Sequence, residues 1–196
     1  HLFLNNLQKA TLCIGGVALA WVLFFRLNSS IFSYLEQTQF VNWIFMPAGV
    51  RLLSVLLFDE YAVIGLFIGA LITSPVIGTN LTESLVISLI SALNPYVAIC
   101  ITKRLLKLDN LLKKLSAKEL ILMGFFSAIF NCLSHHLYFQ LESLKTSWAN
   151  CATMFIGDLL GITITLILFN MSLKPLEDQR SQQSSNNVAH MKKHQD

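Results

Sequence analysis

Charge is what this chain has least of. Of its 196 residues only 13% are Asp, Glu, Lys or Arg, while 54% are apolar, and a soluble domain carries about twice that share of charge. A free-standing water-soluble domain is therefore excluded. A basic groove interleaved with aromatics is also absent, because the net charge of +3 is spread over loops and the C-terminal segment. Nucleic acid is therefore excluded as a partner. Cys13, Cys100, Cys132 and Cys151 stand singly inside apolar runs, with no CxxC pair and no His or Cys at ligand spacing. They are expected to be small buried hydrophobes, and no metal site is expected. There is no Walker loop, HExxH, GxSxG elbow or facing pair of intramembrane carboxylates, so no catalytic residue and no enzyme is expected. No spanning lysine is available for a retinal Schiff base. The sequence specifies no cofactor.

What is present is hydrophobic length. A helix crossing a bilayer needs about 20 apolar residues, and six candidate runs occur, near 11–27, 39–58, 60–77, 82–106, 117–141 and 147–173. None alternates in polarity as barrel strands do. The expected fold is an all-α, polytopic transmembrane helical bundle of about six spans, with the lipid bilayer as its solvent. The segment Lys103–Glu119 carries Lys103, Arg104, Lys107, Lys113, Lys114 and Lys118 against Asp109 and Glu119. The positive-inside rule puts it in the cytoplasm, and six spans then place both the N-terminus and the C-terminus there too. Residues 1–175 form the expected transmembrane domain. Residues 176–196, rich in Gln, Ser, Asn and His, are expected to be a disordered polar cytoplasmic tail. Its His190 and His194 have helical ligand spacing but are read as a solvated pair.

Ionisable groups inside the runs narrow the search for a site, because each costs several kcal/mol or more in hydrocarbon unless it has a partner or a cavity. Arg51 and Asp158 stand out. Counted from the outer ends of their runs they lie at similar depth, so they could pair. Asn94 and Asn131 fall near the same level, giving a polar layer across four helices. On the fifth run Ser127, Asn131, Ser134, His135, Tyr138 and Glu142 recur at helical steps and share one face, whereas His136 points elsewhere. Arg51, Asn94, Asn131, His135 and Asp158 are the candidate ligand-binding residues. No other run contains a histidine, so two-helix haem ligation within one chain is not expected.

Gly65 with Gly69, and Gly157 with Gly161, have the small-xxx-small spacing that lets helix backbones approach closely. Pro47, Pro75 and Pro95 remove backbone donors, so kinks or unwound turns are expected there.

The stretch Trp43-Ile44-Phe45-Met46-Pro47-Ala48-Gly49-Val50-Arg51-Leu52, followed by Tyr61 to Ala70, resembles the membrane-associated sensor domains of the first MASE class. So does the sixth run, Ser147-Trp148-Ala149-Asn150 through Gly157-Asp158-Leu159-Leu160-Gly161. Those modules precede histidine kinase or diguanylate cyclase domains in bacteria, and usually have about eight spans. The resemblance implies a shortened sensor module of the bacterial inner (plasma) membrane, acting in signal transduction through another protein. It also makes Pro47, Gly49, Arg51, Asp158 and Gly161 candidates for a shared interior site, with Pro47 and Gly49 joining the four glycines above as packing positions.

The expected function is a non-catalytic sensor-like module that binds a small-molecule ligand or a partner membrane protein. Two alternatives stand beside it, the first of about this length and span number. One is the substrate-binding subunit of an energy-coupling-factor type uptake transporter, which would copurify with ATPases. The other is an accessory subunit of a larger respiratory or photosynthetic complex, which would place His135 against a pigment.

Overall fold

The structure, a computed structural model, describes the backbone of residues 2–38, 41–77, 80–107, 116–143 and 146–192; side chains are described for residues 7–37, 41–74, 80–107, 116, 118–143, 146–172 and 175. Helix α1 spans Leu2–Phe32 and passes through a 3-10 turn at Ser33–Leu35 into a short antiparallel hairpin, β1 Glu36–Thr38 and β2 Val41–Asn42. Then come α2 Pro47–Phe58, α3 Glu60–Ile77, α4 Leu81–Leu106, α5 Ala117–Leu141 and α6 Trp148–Lys192.

Local chemistry explains several of these boundaries. α4 and α5 both open on capping boxes. Asn80 Oδ1 accepts from Glu83 N at 2.9 Å while Asn80 N donates to Glu83, and Ser116 and Glu119 repeat the exchange, satisfying helix-end donors that would otherwise be orphaned. α2 begins at Pro47 because proline has no N–H for a preceding turn and suits the first helical position.

Among the described residues, four stretches are long and apolar enough to cross a membrane: Leu7–Leu35, Leu81–Leu106, Lys118–Leu141 and Trp148–Ser172. The protein is an integral membrane protein of helical type. The run at 39–58, expected as a full span, is instead divided. Residues 43–46 are non-helical and α2 has 12 residues, about 18 Å at 1.5 Å per residue, which is short of a core of about 30 Å.

Non-helical backbone packed inside a membrane protein survives only when protein satisfies it, and here it does. Trp43 N donates to Leu35 O, Phe45 N to Gly157 O, and Met46 N to Asn28 Oδ1. The Thr165 hydroxyl donates to Met46 O at 3.0 Å.

The expected disordered tail also differs, since α6 remains helical through Pro175 to Lys192. Glu177, Gln179, Arg180, Gln182 and Gln183 are good helix formers, and the segment extends an existing helix, so it needs no new nucleus. The His190 side chain and all of His194 lie outside the described residues.

The apolar core occupies the half of the bundle nearer the α4–α5 connection. Val17 of α1, Leu52 and Val55 of α2, Leu66 of α3, Ile99 of α4, Met123 of α5 and Ile162 of α6 are all buried there. A smaller cluster around Val41, Ile87, Tyr138 and Phe139 contains Cys132 and Cys151. Cys13 and Cys100 are half-buried.

Candidate functional site

The two glycine pairs do different work. At Gly65 an added Cβ would sit 2.7 Å from Ile14 O and 2.8 Å from Val17 Cβ, and at Gly69 2.9 Å from the Trp21 side chain, so this pair lets α3 lie against α1. At Gly157 and Gly161 a Cβ would overlap the carbonyl oxygens of Asn42 and Phe45. The second pair therefore receives the non-helical strand before α2 and not a helix. Gly49, one turn into α2, leaves room for the Thr165 side chain.

This seating carries Arg51 into the centre of the bundle, where it is 2% exposed. Its Nη2 donates to Asp158 Oδ2 at 2.9 Å, closing an ion pair between α2 and α6. Its Nη1 donates to Asn131 Oδ1 at 2.8 Å, and Asn131 Nδ2 donates to Asp158 Oδ2 at 2.7 Å. Three helices thus close a ring of charge-assisted bonds.

Asn94 extends the ring to α4, with a long contact of 3.5 Å from its Nδ2 to Asn131 Oδ1, and accepts from the Ser134 hydroxyl at 3.3 Å. His135 Nδ1 lies 2.9 Å from Asn131 O. The guanidinium also lies over the Trp21 and Phe45 rings, at 5.9 and 5.6 Å from their centroids, positions where a cation is attracted to the π face.

Above this floor lies a cavity of about 490 Å³. Its walls come from the half remote from the α4–α5 connection, namely the end of α1, the 3-10 turn and hairpin, Phe45, the end of α3, the start of α4, the end of α5 and the start of α6, with Arg51 of α2 at the floor. Arg51, Asn131, His135 and Asp158 line it, so four of the five candidate ligand residues meet at one void. Asn94 bonds to that group from behind and is not itself part of the lining.

Several lining residues were not singled out in the sequence: Trp21, Phe25 and Asn28 of α1, Glu36 and Asn42 of the hairpin, Phe45, and Ser88 and Ser91 of α4. A signal for some of them existed. Trp21, Phe25 and Asn28, and likewise Ser84, Ser88 and Ser91, follow the helical steps that marked the fifth run. Pro95 adds to the α4 stripe, because it has no N–H to give the Ser91 carbonyl.

The remaining members of the fifth-run face lie elsewhere. Glu142 is exposed, and Ser127 is buried outside the cavity lining. Tyr138 belongs to the small apolar cluster. His136 turns to the Trp148 ring, 4.4 Å between centroids, with Nδ1 3.1 Å from the Thr146 hydroxyl.

Glu36 sits at the hairpin, beyond the membrane-length stretch that ends at Leu35. Burial pushes its carboxyl up from the ordinary carboxylate range. Among the described residues the ion pairs are Arg51–Asp158 and Lys103–Asp59, so no basic partner for Glu36 is found there.

Comparison with known proteins adds one finding. The MASE1 family model matches residues 12–192, nearly the whole chain. No curated protein and no solved structure matches it. With its membrane-length helices, this chain belongs to the MASE1 family of membrane-associated sensory domains.

Proposed function

We propose that the protein is a non-catalytic sensor of the bacterial inner membrane that holds a small ligand in the cavity above Arg51 and passes its occupancy to a partner membrane protein. In this reading β2, residues 43–46 and α2 together make the second of six crossings. Both termini are cytoplasmic, as the basic Lys103–Glu119 segment favours.

The observation that carries the proposal is the Arg51–Asn131–Asp158 ring flooring a polar void. Interhelical hydrogen bonds that serve only as glue, about 0.6 to 2 kcal/mol each, do not require a cavity beside them. Asp158 also stands on the helix that continues to Lys192, so a ligand that disturbs its bonds acts on the element leading out of the bundle. The uptake-subunit and pigment-complex alternatives have no comparable observation in their favour.

The test is mass spectrometry of the protein purified gently from its native membrane. A copurifying kinase or cyclase, with a small molecule that is lost in Arg51→Ala, is the expected result. An ATPase pair would replace the reading with transport, and pigment-binding or electron-transfer subunits would replace it with an accessory role.

A further inference from the structure

The unpaired polar atoms around this cavity fall into two kinds. Among the described residues, four buried side-chain atoms are both unpaired and sealed from solvent: Asn42 Oδ1, Arg51 Nε, His136 Nε2 and Tyr138 Oη. No ligand in the void touches them. The second kind is unpaired and open. Thr73, Thr102, Thr163 and Ser172 turn their hydroxyls back to a carbonyl of the preceding turn, the ordinary resting place of a hydroxyl in a membrane helix. Among the described residues Ser88 and Ser91 of α4 have no such bond, are not among the sealed atoms, and line the void.

His135 adds an acceptor. Its Nδ1 lies 2.9 Å from the Asn131 carbonyl, which can only accept, so Nδ1 carries the hydrogen and Nε2 of the uncharged ring holds a lone pair. Asp158 adds another, because the bonds from Arg51 and Asn131 both fall on Oδ2 and leave Oδ1 free. Asn28 offers a donor, since its Oδ1 accepts from Met46 N and its Nδ2 is unused. All three residues line the void, and none of these atoms is sealed. Two acceptors, one donor and two hydroxyls are met together by groups that both give and take a hydrogen bond, which is the chemistry of neighbouring hydroxyls.

Charge restricts the class further. Arg51 and Asp158 match each other at 2.9 Å, and Glu36, the remaining charged residue of the lining, is exposed at the hairpin, where water meets its charge. A ligand with a net charge would shed its hydration on reaching the floor and find no unmatched partner there. Phe25, Phe45 and Met154 also line the void and give it an apolar side.

We infer that the cavity takes an uncharged polyhydroxylated small molecule, of the sugar, cyclitol or nucleoside kind, whose hydroxyls bond to Ser91 and His135 and donate to Asp158 Oδ1. This inference rests on the sensory reading of the same cavity and supplies its first step. A hydroxyl donated to Oδ1 competes with Arg51 and Asn131 for the charge of the carboxylate, so occupancy loosens the ring that ties α2 and α5 to α6.

The test is saturation-transfer NMR on the purified full chain in lipid nanodiscs. Methyl β-D-glucopyranoside, myo-inositol and uridine are the neutral probes, with glucuronate and glucosamine as charged molecules of similar size. At least one neutral probe binds saturably, and both charged molecules bind about tenfold or more weakly than it does. Ser91→Ala and His135→Phe each weaken that probe about five- to tenfold, the scale of one buried hydrogen bond. Ser172→Ala, whose hydroxyl is spent on Leu168 O outside the cavity, leaves binding unchanged. If His135→Phe does not fold, Ser91→Ala decides the placement alone.

Tighter binding of glucuronate or glucosamine than of every neutral probe, still weakened by Ser91→Ala, overturns the uncharged class and leaves the cavity as a ligand site. Binding indifferent to the cavity substitutions overturns the placement of the hydroxyls. No saturable binding by any probe overturns the polyhydroxylated class, and the sensory reading is then decided separately by the copurifying small molecule and its loss in Arg51→Ala.

Discussion

Two interfaces in this bundle are built on the same spacing of two glycines, yet only one of them makes a site. Where α3 meets α1, Gly65 and Gly69 admit a regular helix, and a neutral hydrogen bond, Trp21 Nε1 to the Thr73 hydroxyl at 3.0 Å, ties the contact. Where residues 42–49 meet α6, Gly157 and Gly161 admit irregular backbone. That contact is tied by Phe45 N to Gly157 O, by Thr165 to Met46 O, and by the Arg51–Asp158 pair. A helix satisfies its own backbone and can slide on its neighbour. An unwound segment must borrow its hydrogen bonds, so it is pinned, and a pinned segment can hold a charged side chain in place inside a membrane protein.

The contrast is broken most severely at the ion pair. Asp158→Ala should cost about 3 to 5 kcal/mol of stability by leaving the Arg51 charge buried and unpaired. Arg51→Ala should cost a similar amount for the opposite reason. The double substitution should cost clearly less than the sum of the two, as read from unfolding midpoints in detergent. Strictly additive losses would mean that the pair is not energetically coupled.

The glycines come next. Gly161→Ala should cost about 3 kcal/mol, at the upper end for forced overpacking, because the Phe45 carbonyl it would strike is held from both sides. Gly65→Ala should cost about 1 to 2 kcal/mol, since helix α1 can shift as a body. Equal midpoints for the two variants would erase the distinction between the interfaces.

The smallest effect belongs to Gly16. A Cβ there meets nothing within 4 Å, so Gly16→Ala should leave stability unchanged or raise it by about 0.5 kcal/mol through helix propensity. A loss of stability would show that α1 carries a contact on that side.

How far the sequence could be read follows from the same contrast. The convergence of Arg51, Asp158 and Asn131 was legible because a charge in hydrocarbon needs a partner, and depth along a helix is simple arithmetic at a fixed rise per residue. What sits on Gly157 and Gly161 was not legible. The spacing says that a backbone comes close, but not whether that backbone is helical. Pro47 limited where α2 could begin, but not where the preceding carbonyls and amides would find partners; that depended on Asn28 and Thr165, distant in sequence.

Ser88 and Ser91 were hidden for another reason. A serine in a membrane helix can bond to its own preceding turn, so a serine stripe reads as neutral until a cavity is seen beside it. The helical backbone beyond Pro175 was obscured by composition, since polar residues that cannot build a core can still extend a helix already formed.

The central claim is that the Arg51 layer floors a water-reachable cavity and is not merely buried glue. The most direct measurement is thiol accessibility in a background with the four native cysteines replaced, comparing Ser91→Cys at the cavity with Leu93→Cys, 39% exposed on the outward side of the same helix. The account predicts that a membrane-impermeant thiol reagent modifies Ser91→Cys in intact membrane vesicles and leaves Leu93→Cys unreacted in lipid. An inert Ser91→Cys, in a protein whose Ser33→Cys at the hairpin end reacts readily, would contradict it.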